Sequence, residues 1–353
     1  MDVKASLTQL NASYDSDSEL HPAREKHEDP ERQERVGEEI CMGLAAWMTD
    51  GLQTGVDSHW AMVEGAQMHY LKAGSGPPLV LIHGLIGSAF SWRCNMQSLA
   101  ENWTVYAVDM LGLGQSQRVP GLNASMTATA DRMVKFFDAV QIVRADVIGT
   151  SHGGAVAMLL AAHYPERVGK LVLVAPANPY SDQSDAIIRF YRTSLGKWFA
   201  PHVPNLPAQL QEIALGRMYG DPNRVPPGTL GNYMSSLRVP GTAAHVMNIL
   251  EGWFADMKDV EASLDKLANK PMLLLWGDKD RAVSMESAYK LKKLMRRAEL
   301  VIMHGAGHLP YEELPAEFNR DVTAWLQRPD AEGLVRKSLR RLHLVRAANL
   351  SRT

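Results

Sequence analysis

The sequence predicts an α/β fold, a mostly parallel central sheet with helices on both faces and a helical segment inserted between two strands. Three observations lead there. Apolar runs of strand length alternate with segments of helical periodicity, the pattern of a parallel sheet. The alternation stops over residues 177–270 and resumes at Pro271. Around Ser151 an apolar strand, a turn bounded by glycines and an apolar helix meet within a few residues.

Composition narrows the class. Of 353 residues, 46% are hydrophobic and 22% charged, the balance of a globular protein with a sizeable core. A net charge of -2 gives no basis for a nucleic-acid partner. Cys41 and Cys94 provide neither a disulfide framework nor metal-ligand spacing, and are expected as two reduced thiols. No apolar run approaches the ~18 residues of a membrane span, and Met1 to Arg35 lacks the apolar stretch of a secretory leader. A cytoplasmic address follows as the expectation.

Residues 1–54 form a lead segment. Its first 35 residues are polar and charged without periodicity, the composition of a disordered stretch. Val36, Ile40, Leu44, Trp47 and Met48 then fall at helical spacing and predict a short amphipathic helix. The core is expected over 55–176 and 271–328. It opens with a hairpin, Trp60 to Glu64 and Met68 to Lys72. The strand Pro78–Ile82, a helix Ser88 to Ala100, the strand Trp103–Val108 and a helix Thr127 to Val140 follow. Then come the Asp146–Ile148 strand, the helix Ala155 to Ala162, which is apolar on every face, and the strand Lys170–Ala175. Residues 177–270 carry aromatic- and methionine-rich helical segments separated by prolines, and are expected to cap the strand ends. Strand Pro271–Trp276, helix Ser284–Met295 and strand Glu299–Met303 complete the core. The tail, 329–353, is basic and carries a helical repeat at Val335, Leu339 and Leu342. Lead helix and tail are expected to pack on the domain or be solvated, with a membrane surface or a partner as the alternative.

The chemistry centres on Gly149-Thr-Ser151-His-Gly153, a G-x-S-x-G turn. A strand reversing into a helix this sharply strains the central residue, and glycines two positions either side avoid Cβ collisions. The serine oxygen is left at the strand's C-terminal end, above a helix N-terminus that favours a developing anion. A serine hydroxyl needs a base within hydrogen-bond reach to act as a nucleophile. Gly277-Asp278-Lys279-Asp280 and Gly305-Ala306-Gly307-His308 each follow a strand, on the same sheet edge as Ser151. Of twelve histidines, His308 on its glycine-flanked loop is the candidate base. His152 should diverge from its neighbour Ser151, His83 should prop the His83-Gly84 turn, and His304 lies too close to its strand. Asp278 and Asp280 compete as the acid, one to buttress the loop and the other to orient the imidazole. Two backbone donors would meet an oxyanion, His152 N–H and, from the loop after His83, most simply Leu85 N–H.

These features resemble the serine-nucleophile α/β-hydrolase superfamily, of the capped esterase, C–C hydrolase and pheophytinase-like type. The residues that carry the resemblance are His83-Gly84, Ser91-Trp92-Arg93, Asp109-Met-Leu-Gly-Leu-Gly-Gln-Ser116, Gly149-Thr-Ser-His-Gly-Gly154, Tyr164-Pro-Glu-Arg-Val168, Trp276-Gly-Asp-Lys-Asp280 and Gly305-Ala-Gly-His308. They span roughly residues 60–326. The resemblance implies the order Ser…Asp…His, with Asp280 as the acid and Leu85 as the oxyanion donor, and a shaping role for the Asp109–Ser116 loop.

It also implies departures. Haloalkane dehalogenases and epoxide hydrolases of this fold place Asp where Ser151 stands. Meta-cleavage C–C hydrolases usually carry a G-P-G-A-like run and a Trp after the catalytic His, where this chain has Leu85-Ile86-Gly87-Ser88 and Leu309.

The expected activity is therefore hydrolysis of an ester or related acyl bond in a small to medium hydrophobic molecule. Ser151, His308 and Asp280 would carry it through an acyl-enzyme, with no cofactor and no metal. The alternatives are C–C hydrolysis of a dienone acid, which would enlist Arg189, Arg192 or Arg217 for the substrate carboxylate, and a ligand-binding receptor with little turnover.

Overall fold

The computed structural model describes residues 55–329. The lead segment with its predicted amphipathic helix, and the basic tail beyond Pro329, lie outside the described residues. Strands β1 (Val56–Val63) and β2 (Ala66–Ala73) form the predicted hairpin. Its two connecting residues, Glu64 and Gly65, have φ of 53° and 77°, the mirror-image turn that matches strand twist. In order follow β3 (Pro78–Ile82), α1 (Met96–Ala100), β4 (Thr104–Val108), α2 (Met126–Ala139), β5 (Ala145–Thr150), α3 (Ser151–His163) and β6 (Val168–Val174). Between β6 and the next strand the chain is helical: α4 (Asp185–Tyr191), α5 (Ser194–Phe199), α6 (Ala208–Gly216), α7 (Thr229–Arg238) and α8 (Thr242–Leu267). Strand β7 (Met272–Gly277), α9 (Met285–Leu294), β8 (Ala298–Met303), α10 (Pro310–Glu313) and α11 (Pro315–Gln327) close the fold.

The eight strands lie in the order β1-β2-β4-β3-β5-β6-β7-β8. The β1–β2 and β2–β4 pairs are antiparallel, and every pair from β4 onward is parallel. The apolar runs of the central strands are continuous because both faces are covered. Val80, Ile82, Leu171, Leu173 and Leu274 enter a core with α2, α3 and the end of α8. Their neighbours Leu79, Leu81, Val172, Val174 and Leu273 enter a second core with Trp92, Phe318 and Trp325. Helix α3 is apolar on every side for the same reason. It packs against β5 and β6 as well as α2 and α8, and Ala155 to Ala162 are all buried.

Two expectations need correction. Ser88 to Ala100 is not one helix but a 3-10 turn, Ala89–Trp92, followed by α1. The break falls where side chains are drawn inward. Asn95 donates to the Tyr311 carbonyl at 3.0 Å and to Asn319 at 2.9 Å, while Arg93 pairs with Glu312. Cys94, expected as a reduced thiol, is buried and disulfide-bonded.

Asp256 on α8 is a buried carboxylate whose Oδ1 accepts from Met126 N–H at 3.2 Å, while Oδ2 has no hydrogen-bond partner among the described residues. Burial, with Asp259 nearby, outweighs that hydrogen bond and pushes its pKa up to about 6. A raised carboxyl pKa means that the folded state holds a proton the unfolded chain has released. This group therefore favours folding at pH 4 and costs stability as pH rises through 6. Asp256→Asn, keeping the acceptor for Met126, is expected to stabilise the fold at pH 7–8 by roughly 1–2 kcal/mol and to have little effect at pH 4. Thermal melts across that range check it, and equal effects at both ends would refute the assignment.

Candidate active site

Ser151 is the first residue of α3, directly after β5, and its φ of 51° lies in the left-handed region. A non-glycine residue held there stores strain that its surroundings must enforce. The flanking glycines permit it. A Cβ on Gly149 would stand 2.5 Å from the Gly153 carbonyl oxygen, and one on Gly153 would collide with the His83 carbonyl. Strand end and helix start are thus packed backbone to backbone, which pushes the serine side chain outward. It faces a cavity of about 480 Å³ walled by the sheet edge, the 84–87 loop and the helices between β6 and β7.

His308 lines the same cavity. Its Nδ1 lies 2.8 Å from Asp280 Oδ2, both side chains being almost wholly buried. Asp280 Oδ1 also accepts from the N–H groups of Ala282 and Val283, at 2.7 and 3.0 Å. Asp278 serves the neighbouring turn instead, 3.1 Å from His304 Nδ1 and accepting from Gly305 N–H at 2.8 Å. The two acidic residues left open by the motif are therefore distinguished by what they touch. No hydrogen bond joins Ser151 Oγ to His308 among the described residues. Catalytic hydrogen bonds are often loose before substrate binds.

The other histidines are engaged elsewhere. His83 Nδ1 donates to the Gly84 carbonyl at 2.7 Å, and its Nε2 accepts from Met110 N–H at 3.1 Å. The ring is thereby fixed as a prop for the loop that carries Leu85. The His152 ring is stacked on Trp253 with centroids 6.3 Å apart, and neither of its nitrogens has a hydrogen-bond partner among the described residues. Burial, with His83 and His245 nearby, lowers its pKa to about 3, so it stays neutral. Leu85 N–H has no hydrogen-bond partner among the described residues, and His152 N–H lies in the first turn of α3.

Asp109 organises the loop from the opposite side. It is buried and accepts from Ala89 N–H at 2.6 Å, from Gln115 N–H at 2.7 Å and from His69 Nδ1 at 2.8 Å. Burial alone would raise its pKa, but the hydrogen bond and charge of His69 more than offset this, holding the carboxyl below its usual range. One carboxylate thus ties the 84–89 loop to β2.

A second buried network was not anticipated from the sequence. Arg93 pairs with Glu312 at 2.8 Å and donates to Thr229 at 2.9 Å. Tyr219 donates to Glu312 at 2.9 Å, and Tyr233 donates to its other oxygen. Burial, reinforced by the Glu312 charge, raises both phenols well above their usual range, so they remain donors. Glu313 accepts from the N–H groups of Gly220, Asp221 and Gly307, at 2.9, 2.8 and 2.7 Å. His308 N–H itself donates to the Met218 carbonyl at 2.7 Å. The His308 loop is therefore held by the helical insert as much as by β8. The one hint in the sequence was the acidic pair within the apolar Leu309-Pro-Tyr-Glu-Glu-Leu314 stretch.

A family model described as alpha/beta hydrolase fold matches residues 77–315. The chain belongs to the alpha/beta hydrolase fold family. Among curated alpha/beta hydrolases, the 2-hydroxymuconate semialdehyde hydrolase of Pseudomonas sp. (strain CF600) is 28% identical over 281 residues, covering 76% of this chain and 94% of that one. A solved membrane phospholipase A, a bacterial virulence factor, is 28% identical with a TM-score of 0.65, covering 84% of this chain and 90% of its own. The epoxide hydrolase CorEH superposes with a TM-score of 0.68 at 23% identity over 76% of this chain and 98% of its own, a likeness of fold alone. The family marks this protein as a hydrolase with a small-molecule substrate. Among the described residues no helix is long and apolar enough to cross a membrane.

Proposed function

We propose that the protein is a serine hydrolase that cleaves an ester or related acyl bond of a hydrophobic substrate, with residues 177–270 acting as its cap. Ser151 attacks the carbonyl carbon and passes its proton to His308 Nε2. Asp280 steadies the imidazolium through Nδ1–H, and the N–H groups of Leu85 and His152 receive the oxyanion. His308 returns the proton to the leaving group, leaving an acyl-enzyme, and the same ring then activates water to release the acid.

The observation that carries the substrate class is the cavity lining. Leu85, Ile188, Val203, Leu215, Met247 and Trp253 represent a largely apolar wall, and no arginine or lysine lines it among the described residues. Its volume falls in the ~300–1,000 Å³ range of small-molecule sites. Arg189, Arg192 and Arg217, considered above for a substrate carboxylate, are not among the lining residues. Two of them turn elsewhere, with the Arg189 and Arg192 guanidiniums 4.6 and 5.2 Å from the centroid of the Phe254 ring. A dienone acid would bring a carboxylate into this cavity with no cation to meet it, at a desolvation cost of several kcal/mol.

C–C hydrolysis remains the second reading because of the 2-hydroxymuconate semialdehyde hydrolase relative. Parallel assays separate the two. Uncharged p-nitrophenyl esters of graded acyl length are expected to be turned over, with kcat/KM rising with chain length, and a meta-cleavage dienone acid at least ~100-fold more slowly. The reverse preference would replace the acyl reading. Binding without turnover of either class would indicate the receptor alternative.

A further inference from the structure

Three consecutive helices of the insert are turned inside out at their surfaces. On α4, Ile187 and Phe190 are exposed, on α5, Leu195 and Trp198, and on α6, Leu210 and Ile213. Each pair is spaced i, i+3 and so lies on one side of its helix. The inward side of the same helices is filled by Ile188, Gly196 and Gln211, all buried. The outward pairs are not marginal, since Leu195, Trp198 and Ile213 are 63%, 65% and 62% exposed. Isolated exposed apolar residues are ordinary, but six large ones on three successive helices, the first two of which pack together, are of the kind that marks an interaction surface.

Two features say what covers it. First, the patch is continuous with the cavity. Ile187 and Leu210 are exposed and also line the chamber over Ser151, as does the exposed Ile86 of the oxyanion-side loop. An apolar path therefore runs from the outer face to the nucleophile. Second, the segment 185–217 carries Arg189, Arg192, Lys197 and Arg217 against Asp185 and Glu212. All four cations are exposed; Arg189 pairs with Asp185 at 3.5 Å and Lys197 with Glu251 at 2.5 Å, while Arg192 and Arg217 have no ion-pair partner among the described residues and are the charges that suit an anionic surface.

We propose that the outer face of α4–α6 docks on a lipid surface and that the acyl substrate is a lipid drawn from that surface through the adjoining mouth. The docking part stands on the patch and its charge, while the substrate part rests on the serine-hydrolase reading above. In this arrangement apolar side chains enter the headgroup boundary, Arg192 and Arg217 meet lipid phosphates, and a chain slides from bilayer to cavity without crossing water.

The test uses the full chain and a triple variant, L195E/W198E/I213E. These positions are exposed, so the substitutions are not expected to disturb the fold, which circular dichroism and a thermal melt verify. Flotation with phosphatidylcholine vesicles, with and without phosphatidylglycerol, reads docking independently of catalysis. Wild type is expected to co-float, more strongly with the anionic lipid, and the variant to lose roughly tenfold or more of that binding. Turnover of a long-chain ester presented in vesicles should fall in parallel, while turnover of a water-soluble short-chain ester stays within about twofold. Wild type that fails to float, or a variant that floats equally well, overturns the docking face. So does a wild-type dimer, seen by light scattering, that the variant dissolves without any lipid binding in either protein, because the patch would then belong to a second copy. Flotation with the short-chain ester left untouched by wild type would retain the docking face and reject the hydrolase reading.

Discussion

Ser151→Ala is expected to reduce turnover of an uncharged acyl ester by on the order of 10⁴- to 10⁶-fold, with the folded structure retained. The size follows from chemistry. Without the hydroxyl there is no acyl-enzyme, and only the oxyanion donors and the cavity remain to assist water. Retention of the fold follows from structure, because Ser151 Oγ makes no hydrogen bond among the described residues whose loss would orphan a buried partner. The same substitution should abolish covalent labelling by a fluorophosphonate. Turnover within tenfold of wild type would mean that another group is the nucleophile, and the acyl-enzyme scheme would have to be abandoned.

Asp280→Asn is expected to lower kcat by about 10⁴-fold at neutral pH, through a tautomer rather than through lost packing. Asp280 Oδ1 accepts from Ala282 and Val283 N–H while Oδ2 faces His308 Nδ1. Asparagine satisfies the two backbone donors only with its oxygen, so its NH₂ must point at the imidazole. The ring then presents its Nδ1 lone pair to that NH₂, and the proton moves to Nε2. A ring protonated at Nε2 cannot accept the serine proton. Steady-state kinetics on the folded variant, with ¹⁵N NMR of the imidazole to read the tautomer, check both halves. A loss smaller than about tenfold would show that Asp280 does not set the base.

What could be read from the sequence was whatever local patterning controls. The strand–helix alternation, its interruption over residues 177–270 and the glycines around Ser151 all reflect neighbours within a few positions. Helix α9 begins where its cap is written, with Ser284 Oγ accepting from Ser287 N–H. The site was legible as separate loops. Motif and order nominated Ser151, His308 and a pair of acids, and the choice of Asp280 came from family resemblance. What escaped was set by partners distant in sequence. Arg93 finds Glu312, Asn95 finds Asn319 and His69 finds Asp109, none of which any window of residues can display. The same contacts explain why Ser88 to Ala100, helical by periodicity, is broken in the fold. The patch on α4–α6 was hidden for another reason. Apolar residues at helical spacing look alike whether they face a core or the outside, and only coordinates tell the two apart.

The Arg93–Glu312 pair also fastens one part of the insert to the sheet edge. Separating a buried ion pair costs about 3–5 kcal/mol, so a state with that contact open would be populated on the order of one molecule in a thousand. The stretch around Met218 to Tyr233 is fastened by it to the loop bearing His308, and lifting that stretch would pull on that loop. The ion pairs of the opposite flank, α4 to α6, are by contrast at the solvent surface, Arg189 with Asp185 and Lys197 with Glu251. On the proposed reading, substitutions on that flank are expected to change substrate preference while leaving the His308 loop in place.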